Sequence, residues 1–429
     1  MTVNLITLGC SRNLVDSEHL LYHFQKDGYR VLHNEYVPPA DIVIINTCGF
    51  ILDAKQESVD TILYYVGEKE KGNLGKLFVM GCLSQRYRED LRKELPEVDG
   101  FFGVSEMPQI LQAAGIRSGL AGQVSRLITP PGHYAYLKIS EGCDRTCSFC
   151  AIPGIRGKQV SLSIGQLRQE GAYLGGQGVK ELILIAQDLT AYGRDLYRKR
   201  ALPRLLKELI QLQDVEWIRL HYAYPTGFPL EVINLMAAEP KICNYLDIPI
   251  QHINDQVLSS MGRGYSRKQL EALLERFRSG VPDVALRTTV LVGYPEESEE
   301  AFRELLGFLA AFRFDRLGVF PYSHEADTPA GRNQPDRIPE KIKIERAGEV
   351  MKLQQEISLG INREKIGKVY RVLIDRAEGS SYVGRTEYDS PEVDNEVIVT
   401  ADKKLHAGSF YDVKITDAEE FDLLGVVIS

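Results

Sequence analysis

Residues 140–157 read S-E-G-C-D-R-T-C-S-F-C-A-I-P-G-I-R-G and hold three of the chain's seven cysteines, Cys143, Cys147 and Cys150. A structural zinc site closes its tetrahedron with four ligands, usually as two separated pairs. The C-x3-C-x2-C pattern offers three, spaced too tightly for two zinc knuckles. Three thiolates on a four-iron cluster leave one iron without a protein ligand, open to bind and activate a small molecule. Zinc and a purely structural role are the competing readings of the same spacing. The place of the motif in the chain favours the open cluster.

The motif follows an apolar strand candidate at 135–139, and further candidates recur at 181–185, 217–221, 245–248, 285–292 and 316–320. Helical patterns lie between them at 163–174, 203–212, 266–278 and 298–311, the first with Ser163 and Gln166 in capping-box spacing. This alternation predicts a parallel α/β barrel whose active-site loops follow the C-terminal ends of the strands. Six units fall short of the eight that close a TIM barrel. The expectation is therefore an incomplete (β/α)6, TIM-like barrel, open on one side to a large substrate.

Toward the N-terminus, V-N-L-I-T-L at 3–8 leads into Gly9-Cys10, I-V-I-I at 42–45 into Asn46-Thr47-Cys48, and L-F-V-M at 77–80 into Gly81-Cys82. Short unbroken apolar runs suit strands buried on both faces of a parallel sheet. Helical patterns follow, as at 17–26 and 85–94. Cys10, Cys48 and Cys82 thus each sit at the carboxyl end of a predicted strand, where open α/β sheets form a common crevice. Three thiols meeting there make a second three-ligand site with one position open. Three unrelated buried cysteines are the plainer alternative.

The domain boundaries predicted are 1–117 for this parallel α/β domain, 129–361 for the barrel with a charged helix at 340–359, and 362–429 for a small β-barrel of short alternating strands. A Gly-, Ser- and Pro-rich stretch at 117–133 reads as a linker. With 429 residues and 44% hydrophobic composition, each domain can build a core. No apolar run reaches the roughly 18 residues of a membrane span. The N-terminus reads as a first strand and not a signal peptide, so a cytoplasmic protein with reduced thiols is expected. A net charge of −8 argues against a chain built mainly to grip phosphate backbones.

L-G-C-S-R-N-L-V-D-S-E, I-N-T-C-G-F-I, M-G-C-L-S-Q-R-Y and the cysteine motif above together resemble the radical S-adenosylmethionine methylthiotransferases. V-G-R-T-E-Y-D-S-P-E-V-D resembles the TRAM β-domain of that family, so the likeness runs along the whole chain. A-Q-D-L-T-A-Y-G-R-D and P-I-Q-H-I resemble the branch acting on an aspartate β-carbon of small-subunit ribosomal protein S-twelve. The resemblance implies an N-terminal cluster domain, a radical barrel and a TRAM β-barrel. It implies two [4Fe-4S] clusters, on Cys10, Cys48 and Cys82 and on Cys143, Cys147 and Cys150, the last three being the catalytic set. It further implies S-adenosylmethionine cleaved to a hydrogen-abstracting radical, a second one as methyl donor, and a reducing electron donor. Phe149 is the aromatic the family often carries before the third cysteine. Gln187 and Asp188, just after the second barrel strand, are candidate cofactor contacts by position. The expected partner is ribosomal protein S-twelve or the assembled small subunit. Methylthiolation of a tRNA adenosine is the alternative.

Charge bears on that choice. Residues 362–429 carry nine Lys and Arg against fourteen Asp and Glu, a net −5. An RNA-binding module should be basic, whereas an acidic one, through residues such as Glu387, Asp389, Glu392 and Asp394, would steer a basic protein. tRNA is not the expected partner. Cys243 and Trp217 read as core residues, and His221, His252 and His324 as polar lining near strand ends.

Overall fold

The structure is a computed structural model that describes residues 1–35, 40–116 and 124–428. Two compact units divide the chain. One comprises Met1–Thr129, Tyr136–Arg145 and Ala151–Val160, the other Pro130–Ala135, Thr146–Cys150 and Ser161–Ser429.

The first unit is built on a five-stranded sheet of β1 (Thr2–Thr7), β2 (Arg30–His33), β3 (Ala40–Thr47), β4 (Leu74–Gly81) and β5 (Gly100–Phe101), in the order β2-β1-β3-β4-β5. All four pairings are parallel. Val43 and Ile45 of β3 face one apolar cluster, and Ile42 and Ile44 face the other. Burial on both faces explains why this strand reads as an unbroken apolar run. Residues 117–123 of the expected linker lie outside the described residues. In its remainder Arg126 is buried and pairs with Glu18 at 3.4 Å. Glu18 also accepts hydrogen bonds from the Thr129 amide and hydroxyl at 2.9 and 2.8 Å.

Strand β6 (Tyr134–Lys138) comes next, followed by a short ribbon of β7 (Ser140–Glu141) and β8 (Val160–Ser161) around the cysteine motif. The second unit then supplies β9 (Glu181–Ile185), β10 (Trp217–Leu220), β11 (Ile242–Asp247), β12 (Ala285–Val292) and β13 (Arg316–Pro321). The six-stranded sheet runs β13-β12-β11-β10-β9-β6, an open (β/α)6 arrangement as expected. Ser163 and Gln166 form the anticipated capping box, and Ser266 and Gln269 form another. The charged helix spans Glu340–Arg363.

The C-terminal strands β14 (Val369–Glu378), β15 (Ser381–Arg385), β16 (Glu396–Thr400), β17 (Phe410–Ala418) and β18 (Asp422–Val427) close into a barrel in the order β14-β15-β16-β18-β17. Its own core is Val372, Ile374, Val397, Val399, Val413, Ile415 and neighbours.

The acidic face expected of this domain needs correction. Asp389 is buried against Arg316, whose Nε donates to it at 2.9 Å, and Asp394 accepts from Arg287 Nε at 3.2 Å and from the Tyr245 hydroxyl at 2.7 Å. Both arginines stand on strands of the six-stranded sheet, so the −5 counts carboxylates already neutralised within the unit. Of the four residues singled out, Glu392 is the exposed one.

Candidate active site

Three strand ends carry the N-terminal thiols. Cys10 is the N-cap of the helix Ser11–Lys26, Cys48 directly follows β3, and Cys82 opens the helix Cys82–Glu94. Glycine is required just before two of them. Gly9 and Gly81 have φ of +86° and +100°, which L side chains rarely adopt. A Cβ on Gly9 would stand 2.7 Å from Cys48 Cβ, and one on Gly81 would stand 2.5 Å from the Thr47 carbonyl oxygen. The backbone around Cys10 therefore packs directly on Cys48. A Cβ on Gly49 would in turn stand 2.6 Å from the backbone of Leu83, the residue after Cys82. The structure brings the three thiol-bearing strand ends together.

Side chains stitch these strand ends into place. Asn13 Nδ2 donates to the carbonyls of Leu8 and Thr47 at 2.8 and 3.1 Å, and Asn46 Nδ2 donates to the Asn13 carbonyl at 2.9 Å. The Thr47 hydroxyl donates to the Met80 carbonyl at 2.6 Å, and Ser58 binds both the amide and the carbonyl of Cys48. Arg156, which closes the A-I-P-G-I-R segment, reaches the same place. Its side chain is 1% exposed. Nη2 donates to Asn13 Oδ1 at 2.7 Å and to Cys82 Sγ at 3.4 Å, while Nη1 donates to Glu141 at 2.8 Å. Lys138 joins Glu141 at 2.8 Å and also pairs with Asp16, so two cations balance two carboxylates.

These charges separate the thiols. Burial raises the Cys10 thiol, but Arg12 and Arg156 with two backbone N–H donors outweigh it, and the net shift is downward. Cys48 is pushed up to about 11, chiefly by burial. Cys82 is also raised, burial outweighing Arg156. Nothing in the sequence motifs that contain Arg156 and Asn13 marks either residue. A lone arginine six residues past a cysteine carries no spacing signal.

The second set is divided between the units, and each part is well fixed. In the first unit, Cys143 donates its amide to the Gly157 carbonyl at 3.0 Å, and the Arg145 amide donates to Cys143 Sγ at 3.4 Å. In the second unit, the Cys150 amide bonds the Cys147 carbonyl at 3.1 Å. Cys147 Sγ is buried 3.5 Å from the Tyr224 hydroxyl and accepts from Arg263 Nη1 at 3.3 Å. Arg263 is held by the Pro249 carbonyl at 2.6 Å and lies 4.3 Å over the Tyr224 ring. Ser148 donates to the Ser260 carbonyl at 2.9 Å and contacts the Tyr294 hydroxyl at the same distance. Phe149 packs on the cluster of Val257, Met261, Leu291, Tyr294 and Tyr322.

Asp188 N-caps a short 3-10 turn, accepting from the Thr190 amide and hydroxyl at 2.9 and 2.6 Å. Gln187, beside it, is half-buried. Cys243 and Trp217 are core residues in one cluster with Tyr245 and Leu373. His221 bonds Ser390 at 2.8 Å, and His252 lies 3.4 Å from Glu297. None of the seven thiols is in a disulfide.

The residues fit iron–sulfur ligation. Ligand sulfurs of such clusters carry negative charge and are stabilised by N–H donors around them. Cys82 and Cys147 each have a buried guanidinium on the sulfur, and Cys143 has a backbone amide.

Comparison with known proteins agrees with this architecture. Residues 2–103 match the model of the uncharacterized protein family UPF0004, 137–309 the radical SAM superfamily, and 366–428 the TRAM domain. The radical S-adenosylmethionine methyltransferase TsrM from Kitasatospora setae, solved with tryptophan substrate and a SAM analogue, shares the fold at TM-score 0.57 and 14% identity, over 88% of this chain and 79% of that one. Far higher identity is found among named relatives. The ribosomal protein uS12 methylthiotransferase RimO of Flavobacterium psychrophilum is 54% identical over 99% of this chain and 97% of its own length. That of Bacteroides fragilis is 49% identical over 100% and 99%. The chain belongs to the ribosomal protein uS12 methylthiotransferase family.

Proposed function

We propose that this protein is a radical S-adenosylmethionine enzyme that replaces a hydrogen on the β-carbon of an aspartate of ribosomal protein uS12 with a methylthio group. What carries the reading is the pair of three-thiol sets, each with an arginine donating to a ligand sulfur, in a chain about half identical to uS12 methylthiotransferases over its length. Cys143, Cys147 and Cys150 would hold the cluster that binds S-adenosylmethionine, and Cys10, Cys48 and Cys82 a second one that handles sulfur. Loaded, the first supplies the radical that removes the hydrogen; a second S-adenosylmethionine supplies the methyl group, and an external donor the electron.

The chain's own residues prepare that chemistry. Arg263 and Tyr224 fix Cys147 in a buried setting, and Phe149 packs the loop against the strand ends. Gln187 and Asp188 remain the proposed cofactor contacts, with Asp188 also ordering the turn after β9. Arg156 sets the positive charge around Cys10 and Cys82. No helix among the described residues is long and apolar enough to cross a membrane, and a cytoplasmic enzyme meeting its ribosomal substrate there is the setting we propose.

The test is anaerobic reconstitution with S-adenosylmethionine and a reductant, then mass spectrometry of uS12, assembled small subunits and tRNA. Methylthio-aspartate in uS12 is expected, as free protein or within the subunit. Methylthiolated adenosine in tRNA with unmodified uS12 contradicts the reading.

A further inference from the structure

An aspartate substrate brings a carboxylate beside the reacting carbon, and burying it without a cation is costly. The six-stranded sheet holds several arginines, most of them already committed. Arg219 and the C-terminal domain's Arg385, 0% and 2% exposed, take the two oxygens of Glu181. Arg316 is taken up by Asp389 and the Asp315 carbonyl. Arg287 differs. It is 16% exposed, and although Asp247 and Asp394 already balance its charge through Nη1 and Nε at 3.3 and 3.2 Å, it keeps one further directional donor. Its Nη2 donates to no acceptor among the described residues.

Nη2 lies beside a residue with no side chain: a Cβ on Gly318 would stand in van der Waals contact, 3.7 Å from Nη2, 3.8 Å from Thr289 Oγ1 and 3.9 Å from the Phe320 ring, so a larger side chain there would crowd the guanidinium. Register pairs Arg287 with Arg316, Thr289 with Gly318 and Leu291 with Phe320. Alternation along a strand places Arg287, Thr289 and Leu291 on one face. β13 is the terminal strand of its sheet, and Phe320 is 49% exposed there. Leu291 belongs to the cluster on which Phe149 packs. The face bearing Arg287 therefore leads, about 13 Å further along the strand, to the loop of Cys147 and Cys150.

We propose that Arg287 determines specificity by holding the side-chain carboxylate of the substrate aspartate through Nη2, on the face of β12 that leads to the cysteine loop. This rests on the aspartate reading above. Two uS12 loop peptides, with Asp or Asn at the modified position, are compared on the reconstituted native protein and on Arg287→Gln. The native protein should favour the Asp peptide about 100-fold or more in kcat/KM, and the variant by no more than about threefold. Cluster loading cancels from that ratio, because both peptides meet the same preparation. Gly318→Leu keeps the charge but crowds the guanidinium, and should raise KM for the Asp peptide about tenfold or more. That variant decides the matter if Arg287→Gln does not fold. An undiminished Asp preference in Arg287→Gln, or a native KM in Gly318→Leu, overturns the assignment. A native protein that modifies tRNA adenosine but neither peptide nor uS12 within small subunits overturns the aspartate reading itself, and the role of Arg287 with it; where only the subunit is modified, the same Asp-to-Asn comparison is made on subunits carrying either residue.

Discussion

At the scale of single residues, the thiols depend on neighbours that hold no metal. Gly81 combines φ of +100° with a carbonyl 2.5 Å from where a Cβ would stand. Gly81→Ala should therefore destabilise the first unit by more than the roughly 1–2 kcal/mol of left-handed strain alone, seen as a lower urea midpoint. Arg156→Gln removes a buried cation that pairs with Glu141 and Asp16 beside Lys138. Breaking such a buried set by removing one partner costs about 3–5 kcal/mol. The same variant should retain less iron after desalting than the native protein, since Cys82 loses a donor on its sulfur. The strand-end placement of Cys10, Cys48 and Cys82 was legible because each follows a strand-to-loop step that sequence displays. Arg156 and Arg263 were not, because a guanidinium finds its sulfur through the tertiary fold.

At the scale of elements, the segment Arg385–Asn395 is where sequence reading went furthest astray. Its acids look like a surface charge, yet Asp389 and Asp394 bind Arg316 and Arg287 of the parallel sheet. Sequence counts charges but does not say which are paired. β15 carries little strand signal for a related reason. S-Y-V-G-R offers a glycine and a charge where a strand signal needs apolar alternation, and Arg385 is buried by Glu181 and Asp375. Asp389→Asn should cost about 3–5 kcal/mol by leaving Arg316 buried and unpaired, measured by thermal or urea unfolding. Acid should act on the same contacts. Burial opposes ionisation of Glu181, Asp375 and Asp389, but the arginines beside them prevail and hold all three below the ordinary carboxylate range. Carboxylates of this kind stabilise the fold above their unfolded value of about 4 and lose that contribution as pH falls through the folded one. Asp247, raised by burial, acts with the opposite sign. The thermal midpoint should thus hold near neutrality and fall below about pH 4. A midpoint unchanged down to pH 3 would refute the role given to these pairs.

At the scale of the whole molecule, the order of domains was legible because strand spacing changes visibly along the chain, from unbroken apolar runs to short alternating ones. On the proposed function, two separate three-cysteine sets would each hold an open four-iron cluster. Iron and acid-labile sulfide are to be determined per chain after anaerobic reconstitution, in the native protein and in the variants with Cys10, Cys48 and Cys82 or Cys143, Cys147 and Cys150 changed to Ala. The account predicts about eight of each in the native protein and about four in either triple variant. About four in the native protein, unchanged when Cys10, Cys48 and Cys82 are removed, would contradict it.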